Sequence, residues 1–329
     1  MRTARLHAVG DLRVSEEPAP AAEAGMSLVR VTAVGICGSD LHWWDEGAIG
    51  DATLAHPLVL GHEGAGVIAD GPRRGERVAI DPAITCGTCR ACRDGYANLC
   101  YRIRFAGHGE TDGMMREVMA WPADLLHPLP DGVSDTDGAL LEPLGVAIHS
   151  VDLGHLPFGG TASVIGCGPI GLLLIAALKA AGASSVLAVE PLAHRRAAAA
   201  RYGADVVASS AGVDLADAGV DVAFEAAGTG EAVRLAMESV RPGGRVVLAG
   251  IPGDDAIAFP ASVARRKGLT IALVRRMNHV YPRAISLAAR GVVDLGALVS
   301  GRAGLGSAAG AFGEAARRTG LKVVIEPQR

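Results

Sequence analysis

Apolar and polar residues alternate most clearly at Leu28-Val29-Arg30-Val31-Thr32-Ala33-Val34, which predicts a half-buried strand broken by Gly35. Shorter runs predict strands at Leu58-Val59-Leu60, Gly64 to Ala69, Glu76 to Ile80 and residues 114–121. Turns are expected at Gly71-Pro72 and across Pro128-Leu129-Pro130-Asp131-Gly132. A loop after Gly35 is expected to carry His42, Trp43 and Trp44. Ser134 can cap a helix holding Ala139-Leu140-Leu141-Glu142-Pro143-Leu144. The first part of the chain therefore reads as β-rich.

The pattern then changes. Thr161-Ala162-Ser163-Val164-Ile165 is a continuous apolar strand, followed by a helix to about Ala181 and a strand from Ser184 to Glu190. Strands at Val220 to Phe224, Arg245 to Ala249 and Leu269 to Val274 extend a parallel sheet. The crossover from Ala208 to Gly219 is short and poor in apolar residues, so its helix is expected to be truncated or replaced by loop. Pro282 to Arg290 reads as a helix, Leu305 to Arg318 as loop and helix, and Leu321 to Ile325 as a closing strand.

At 329 residues the chain can hold two domains, and half of its residues are apolar. Net charge is −4, with 28 Arg against 3 Lys, and the Arg residues are scattered, which argues against a nucleic-acid surface. The longest apolar run, Ile170 to Leu178, is far short of the ~20 residues needed to span a bilayer. The N-terminus lacks a signal-peptide core, so the expected location is cytoplasmic, where thiols stay reduced and favour metal over disulfide.

Four of the six Cys make a C-x2-C-x2-C-x7-C cluster at Cys86, Cys89, Cys92 and Cys100. Repeated two-residue gaps let thiolates converge on one tetrahedral ion with no open position, as in a structural zinc site. A [4Fe–4S] cluster shares C-x2-C-x2-C, but the longer final gap and the lack of Pro after Cys100 argue against it. A second candidate set lies upstream, in Cys37-Gly38-Ser39-Asp40-Leu41-His42 and Gly61-His62-Glu63. Thiol, imidazole and carboxylate are the ligand types of a catalytic zinc that keeps one position open. Glu142, inside an apolar run, needs a cation, a metal or a proton if it is buried, and a role at that zinc is favoured.

Gly166-Cys167-Gly168-Pro169-Ile170-Gly171 is a G-x-G-x-x-G turn between strand and helix, with Glu190 ending the next strand. Glycines at that turn let backbone approach a pyrophosphate at the helix N-terminus. Glu190 can accept from the ribose hydroxyls and would repel a 2′-phosphate, which favours NAD over NADP; Arg195 and Arg196 pull the other way. Gly250, Val274 and Arg275, beyond the ends of later strands, are further expected cofactor contacts, and Arg275-Arg276 can line a pocket.

These motifs, in this order, resemble the zinc-dependent medium-chain dehydrogenase/reductase family over nearly the whole chain, most of all its sorbitol, polyol and L-idonate dehydrogenase branch. The resemblance implies an α/β fold: a GroES-like β-rich catalytic domain, residues 1–145 completed by 285–329, and a Rossmann domain with a doubly wound parallel sheet, residues 146–284. It implies a catalytic zinc on Cys37 and His62, with Glu63 a ligand or close neighbour and Glu142 approaching the metal. It further implies a Ser39–His42 proton relay, Arg195 on the cofactor, and two zinc ions per chain. A homo-oligomer, dimer or tetramer, is the family expectation, with a small alcohol or ketone as substrate and neither nucleic acid nor membrane as partner. Trp43 stands where sorbitol dehydrogenases place a Tyr, and Arg275-Arg276 where they place Arg-Tyr; both positions are expected to face substrate, and the second suggests an anionic one. An L-threonine-type or sugar-phosphate dehydrogenase is the alternative on the same scaffold, and a non-catalytic dinucleotide-binding protein the alternative in another class.

Overall fold

The computed structural model describes residues 1–210, 215–253 and 255–329. Two compact units emerge: Met1–Glu142 with Tyr281–Arg329, and Pro143–Val280.

In the first unit, the alternating segment forms the strand Met26–Gly35 and becomes the centre of a seven-stranded sheet. Glu63–Ile68 pairs with it antiparallel, setting Gly35 opposite Glu63 and Val34 opposite Gly64. On its other side lies Lys322–Glu326, with Ile325 opposite Val34 and Val324 opposite Gly35. The chain's last strand thus completes the first unit. Val29, Val31, Val34, Val323 and Ile325 feed one buried cluster with Trp43, Leu60, Met119 and Phe312.

Burial in this sheet is not purely apolar. Lys322 and Glu63 are both essentially inaccessible, and the ammonium lies 2.7 Å from Glu63 Oε1 and 2.6 Å from Oε2. It also donates to the Ile36 carbonyl at 3.0 Å. A Cβ on Gly35 would overlap Glu63 Oε2, so only glycine fits opposite this carboxylate.

Two expectations need correction here. Residues Gly38–Glu46 are an α-helix, not a loop: Asp40, at its third position, accepts the Cys37 N–H at 2.9 Å, and Gly47 closes the helix with φ 65°. The strand expected over 114–121 begins only at Val118, because Gly113, Met114 and Met115 donate instead to the carbonyls of Val59, Gly61 and Leu60. Ser134 does cap its helix, Asp135–Gly154, by accepting the Asp137 N–H at 3.1 Å while Asp137 accepts from Ser134 N.

The second unit is a six-stranded parallel sheet. Its order runs Val206–Ala208, Ser185–Val189, Thr161–Ile165, Val220–Glu225, Val240–Leu248, Thr270–Leu273. The two halves diverge from Thr161–Ile165 and Val220–Glu225, the 3-2-1-4-5-6 order whose switch point binds dinucleotides. Pro169–Ala180, Ala193–Arg201 and Gly230–Ser239 are crossover helices. Between Ala208 and Gly219 the described residues contain no helix; 211–214, on which part of the crossover expectation falls, lie outside the described residues. Among the described residues no helix is long and apolar enough to cross a membrane.

Removing one partner of a buried ion pair strands the other charge, which costs roughly 3–5 kcal/mol. Lys322→Met is therefore expected to lower the urea unfolding midpoint strongly. The double variant Lys322→Met/Glu63→Gln should recover most of the loss.

Candidate functional site

Cys37, His62 and Glu63 present ligand atoms within 4.8 Å of one another. Their positions follow from local structure. Cys37 precedes the helix Gly38–Glu46; His62 and Glu63 stand at the entry of the strand Glu63–Ile68; Gly61, at φ 91°, turns the chain into it. Thiolate, imidazole and carboxylate form the donor set zinc accepts at an open site, and His62 and Glu63 are buried.

Asp40 holds this arrangement together. Wholly buried, it accepts from Cys37 N at 2.9 Å and Gly61 N at 3.1 Å, and its Oδ1 lies 3.4 Å from His62 Nδ1. Burial alone would push its carboxyl up, but His62 and the two N–H donors bring it below the usual carboxylate range. The result leaves His62 Nε2 facing Ser39, whose Oγ is 3.4 Å away. Burial would push the His62 imidazole down, yet Asp40 and Cys37 carry it well above the ordinary histidine value. This is a pocket that favours positive charge, be it a proton or a cation.

Glu142 is buried nearby, outside the three-residue set. Desolvation lifts its carboxyl to about 7; His62 and Lys322 pull it down, while Glu63 and Asp81 push it up. Those cross-influences mark Glu142 as part of the same electrostatic neighbourhood, and a cation there would let it ionise.

Other expected residues are placed differently. His42 Nδ1 lies 3.2 Å from Glu46 Oε1 one helical turn on, in a partly exposed pair. Trp43, expected to face substrate, is 1 % exposed and belongs to the core cluster, with its ring edge-on to His108. Asp40 and Trp43, three residues apart, share the buried face of the helix Gly38–Glu46. Arg275 is exposed; Arg276 is half-buried and takes a left-handed φ of 58°.

The four-Cys lobe is compact, its four sulfurs lying within 4.8 Å of one another. Cys89 Sγ stands 3.5 Å from Cys92 Sγ and 4.0 Å from Cys100 Sγ, near the ~3.8 Å edge of a tetrahedron with ~2.3 Å zinc–sulfur bonds. Backbone N–H groups of Cys86, Cys89 and Arg102 point at sulfurs at 3.3–3.4 Å. N–H donors at Thr88 and the Arg102 guanidinium draw the Cys86 thiol down to about 5, whereas desolvation and neighbouring thiols push Cys92 up to about 12. Four thiols this close cannot all ionise unaided; a divalent cation removes the conflict.

At the glycine-rich turn, Gly166 takes φ 95° and accepts no side chain: a Cβ on it would meet Ala227 at 2.9 Å. A Cβ on Gly171 would strike the Gly166 carbonyl, so helix and strand pack without side chains between them. Gly168, Pro169 and Ile170 stay partly exposed at the helix N-terminus, and Arg195 Nη1 stands 3.6 Å from where a Gly168 Cβ would be. This is a cradle that fits a pyrophosphate. Glu190 accepts from Cys167 N at 2.7 Å and Leu192 N at 3.0 Å, bracing the turn. Gly250 packs against Gly228 N and the Glu225 carboxylate, and Val274 N bonds the Leu248 carbonyl at 2.9 Å.

Sequence reasoning missed Asp40, Lys322 and Glu225. Asp40 carried a signal, an acidic residue three positions after the helix cap. Lys322, one of three Lys in the chain and flanked by Leu321 and Val323, was a second.

Replacing Asp40 with Asn frees the backbone and imidazole it orients, and is expected to weaken zinc binding about 10–100-fold, read by chelator competition. Cys89→Ala should cost several kcal/mol of stability in urea unfolding, with no comparable loss in Cys37→Ala, which should instead abolish turnover while NADH binding persists.

Comparison with known proteins agrees with this geometry. Residues 23–131 match the alcohol dehydrogenase GroES-like domain family, and residues 169–290 the zinc-binding dehydrogenase family. Sorbitol dehydrogenase from Bacillus subtilis is 34 % identical, covering 100 % of this chain and 98 % of its own. A Neosartorya fischeri protein named "Probable D-xylulose reductase A" is 38 % identical over 91 % of this chain and 88 % of its own. The crystal structure of Escherichia coli L-idonate 5-dehydrogenase superposes with a TM-score of 0.93 at 28 % identity, covering 99 % of this chain and 97 % of that one. With a GroES-like first unit, a dinucleotide-type parallel sheet and full-length relatives among the dehydrogenases, the chain belongs to the zinc-binding alcohol dehydrogenase family.

Proposed function

We propose that this chain catalyses the reversible, NAD-linked oxidation of a secondary alcohol in a polyol or sugar acid to the ketone, with one catalytic and one structural zinc. The observation that carries the reading is the convergence of half-buried Cys37 with buried His62 and Glu63, with Glu142 in electrostatic reach. A carboxylate at position 142, which the resemblance to polyol dehydrogenases brings towards the metal, supports a polyol-type site. The names of the relatives, sorbitol dehydrogenase and L-idonate 5-dehydrogenase, support the same substrate class.

Zinc held by Cys37 and His62, with Glu63 or Glu142, would supply Lewis acidity towards the alcohol oxygen, and the nicotinamide would take up the hydride. The chain's own groups handle the proton. Ser39 Oγ, beside His62 Nε2, is the hydroxyl suited to accept it from the substrate, and His42, paired with Glu46, suits its exit towards solvent. Lys322 offsets the negative charge of Glu63, so the site is not overloaded with anions when a substrate alkoxide develops.

The choice of NAD rests on Glu190 and Arg196. Glu190 fixes a negative charge at the end of the strand Ser185–Val189, which would repel a 2′-phosphate. Arg196 commits Nη1 to the carbonyls of Glu190 and Pro191, at 2.9 and 2.5 Å, which takes that nitrogen from a phosphate. The Arg275-Arg276 pair favours a sugar acid over a neutral polyol.

A panel of polyols, aldonates, threonine and sugar phosphates, each with NAD and NADP, tests the reading. NADH formation with polyols or aldonates is expected; turnover confined to threonine or sugar phosphates would contradict it. Arg276→Ala should raise KM for aldonates about tenfold or more with little change for neutral polyols, the worth of one charged hydrogen bond. An unchanged aldonate KM removes the anionic-substrate part.

A further inference from the structure

The β-rich unit contains a cavity of about 600 Å³ whose lining includes none of the metal or cofactor residues themselves, within the ~300–1,000 Å³ range of small-molecule sites. Phe105 and Trp121 form apolar walls, and Arg104, His108 and Arg116 bring basic groups to it.

Arg116 is the unusual member. Its Nε is buried without a hydrogen-bond partner, and its guanidinium enters no ion pair among the described residues. The carboxylate beside it is already committed: Asp112 accepts from Arg5 Nη1 at 2.8 Å and Nη2 at 2.9 Å, and from Val59 N at 3.0 Å. Glu17 is likewise taken by the same Arg5, at 3.1 and 3.0 Å. Glu110, the remaining acid of the lining, is exposed and solvated. Desolvation outweighs the attraction of Asp112 and Glu17 and lowers the Arg116 pKa from its ordinary value, as expected of a cation short of partners.

A planar fork with a buried, unpartnered Nε, in a cavity that Phe105 and Trp121 also line, suits an anion with an organic body. We propose that this cavity binds a small carboxylate- or phosphate-bearing molecule, gripped by Arg116 with Arg104 at the rim and the ligand's carbon frame against Phe105 and Trp121. Phe105 has a second neighbour: its ring centroid lies 5.3 Å from that of His62, so the cavity and the metal set share one aromatic wall.

The zinc-loaded full-length enzyme, saturated with NADH to block the cofactor site, is titrated with inorganic phosphate and separately with benzoate by calorimetry. Phosphate probes the guanidinium alone; benzoate probes guanidinium and walls together. Both are expected to bind the wild type, and Arg116→Gln to weaken both about tenfold or more, while alcohol oxidation without added anion is retained. Arg116→Lys, which keeps charge but not the fork, should weaken them less. Trp121→Phe should remove the fluorescence change on benzoate addition, an independent reading should Arg116→Gln fold poorly. Equal affinity in wild type and Arg116 variants, no binding to the wild type, or binding abolished by Arg195→Gln instead would overturn the proposal.

Discussion

The first unit depends on the burial of charge. Asp40, His62, Glu63, Glu142 and Lys322 all lie inside it, and none could stay there alone, because an unpaired ion in a low-dielectric interior costs several kcal/mol. Asp40 and Lys322 therefore each bind distant parts of the chain, whereas Glu142 makes no such bond among the described residues and desolvation lifts its carboxyl to about 7. Asp40 ties the start of the helix Gly38–Glu46 to Gly61 and His62, and Lys322 ties the last strand to Glu63 and Ile36. The same contacts that satisfy these charges set the Cys37 sulfur, the His62 imidazole and the Glu63 carboxylate together. Fold and metal site are thus one electrostatic problem with one solution.

The second unit uses a related device for a different purpose. Glu190 accepts two backbone N–H groups, from Cys167 and Leu192, and Glu225 accepts two more, from Ala227 and Gly228. Like Asp40, each is a buried carboxylate that fixes a turn by satisfying donors the local backbone cannot. At Glu225 the carboxyl stays above its ordinary pKa because desolvation outweighs those bonds. The turn at Gly166–Gly171 and the close approach of Gly250 to Gly228 follow, with glycine required wherever a Cβ would meet neighbouring backbone.

Much of this was legible in the sequence where chemistry demands particular residues at short spacing. Cys86, Cys89, Cys92 and Cys100 announce a cation because repeated two-residue gaps let four thiolates converge on one tetrahedral ion, and Gly166–Gly171 announces a phosphate cradle by its strand–turn–helix context. The parallel strands were readable because strands buried on both faces are continuously apolar. What escaped depends on partners far apart in sequence. Nothing near Lys322 hints that Glu63 waits for it across the sheet. Trp43 reads from the sequence as part of a loop, whereas the helix Gly38–Glu46 carries it into the core, and the capping role of Asp40 was hidden behind the more conspicuous Cys37 and His42.

Metal content gives the most direct test. Elemental analysis of the protein as isolated should find about two zinc ions per chain, and Cys37→Ala should retain one, the ion of the four-Cys lobe. Iron in place of zinc, or a Cys37→Ala variant that keeps both ions, would contradict the account.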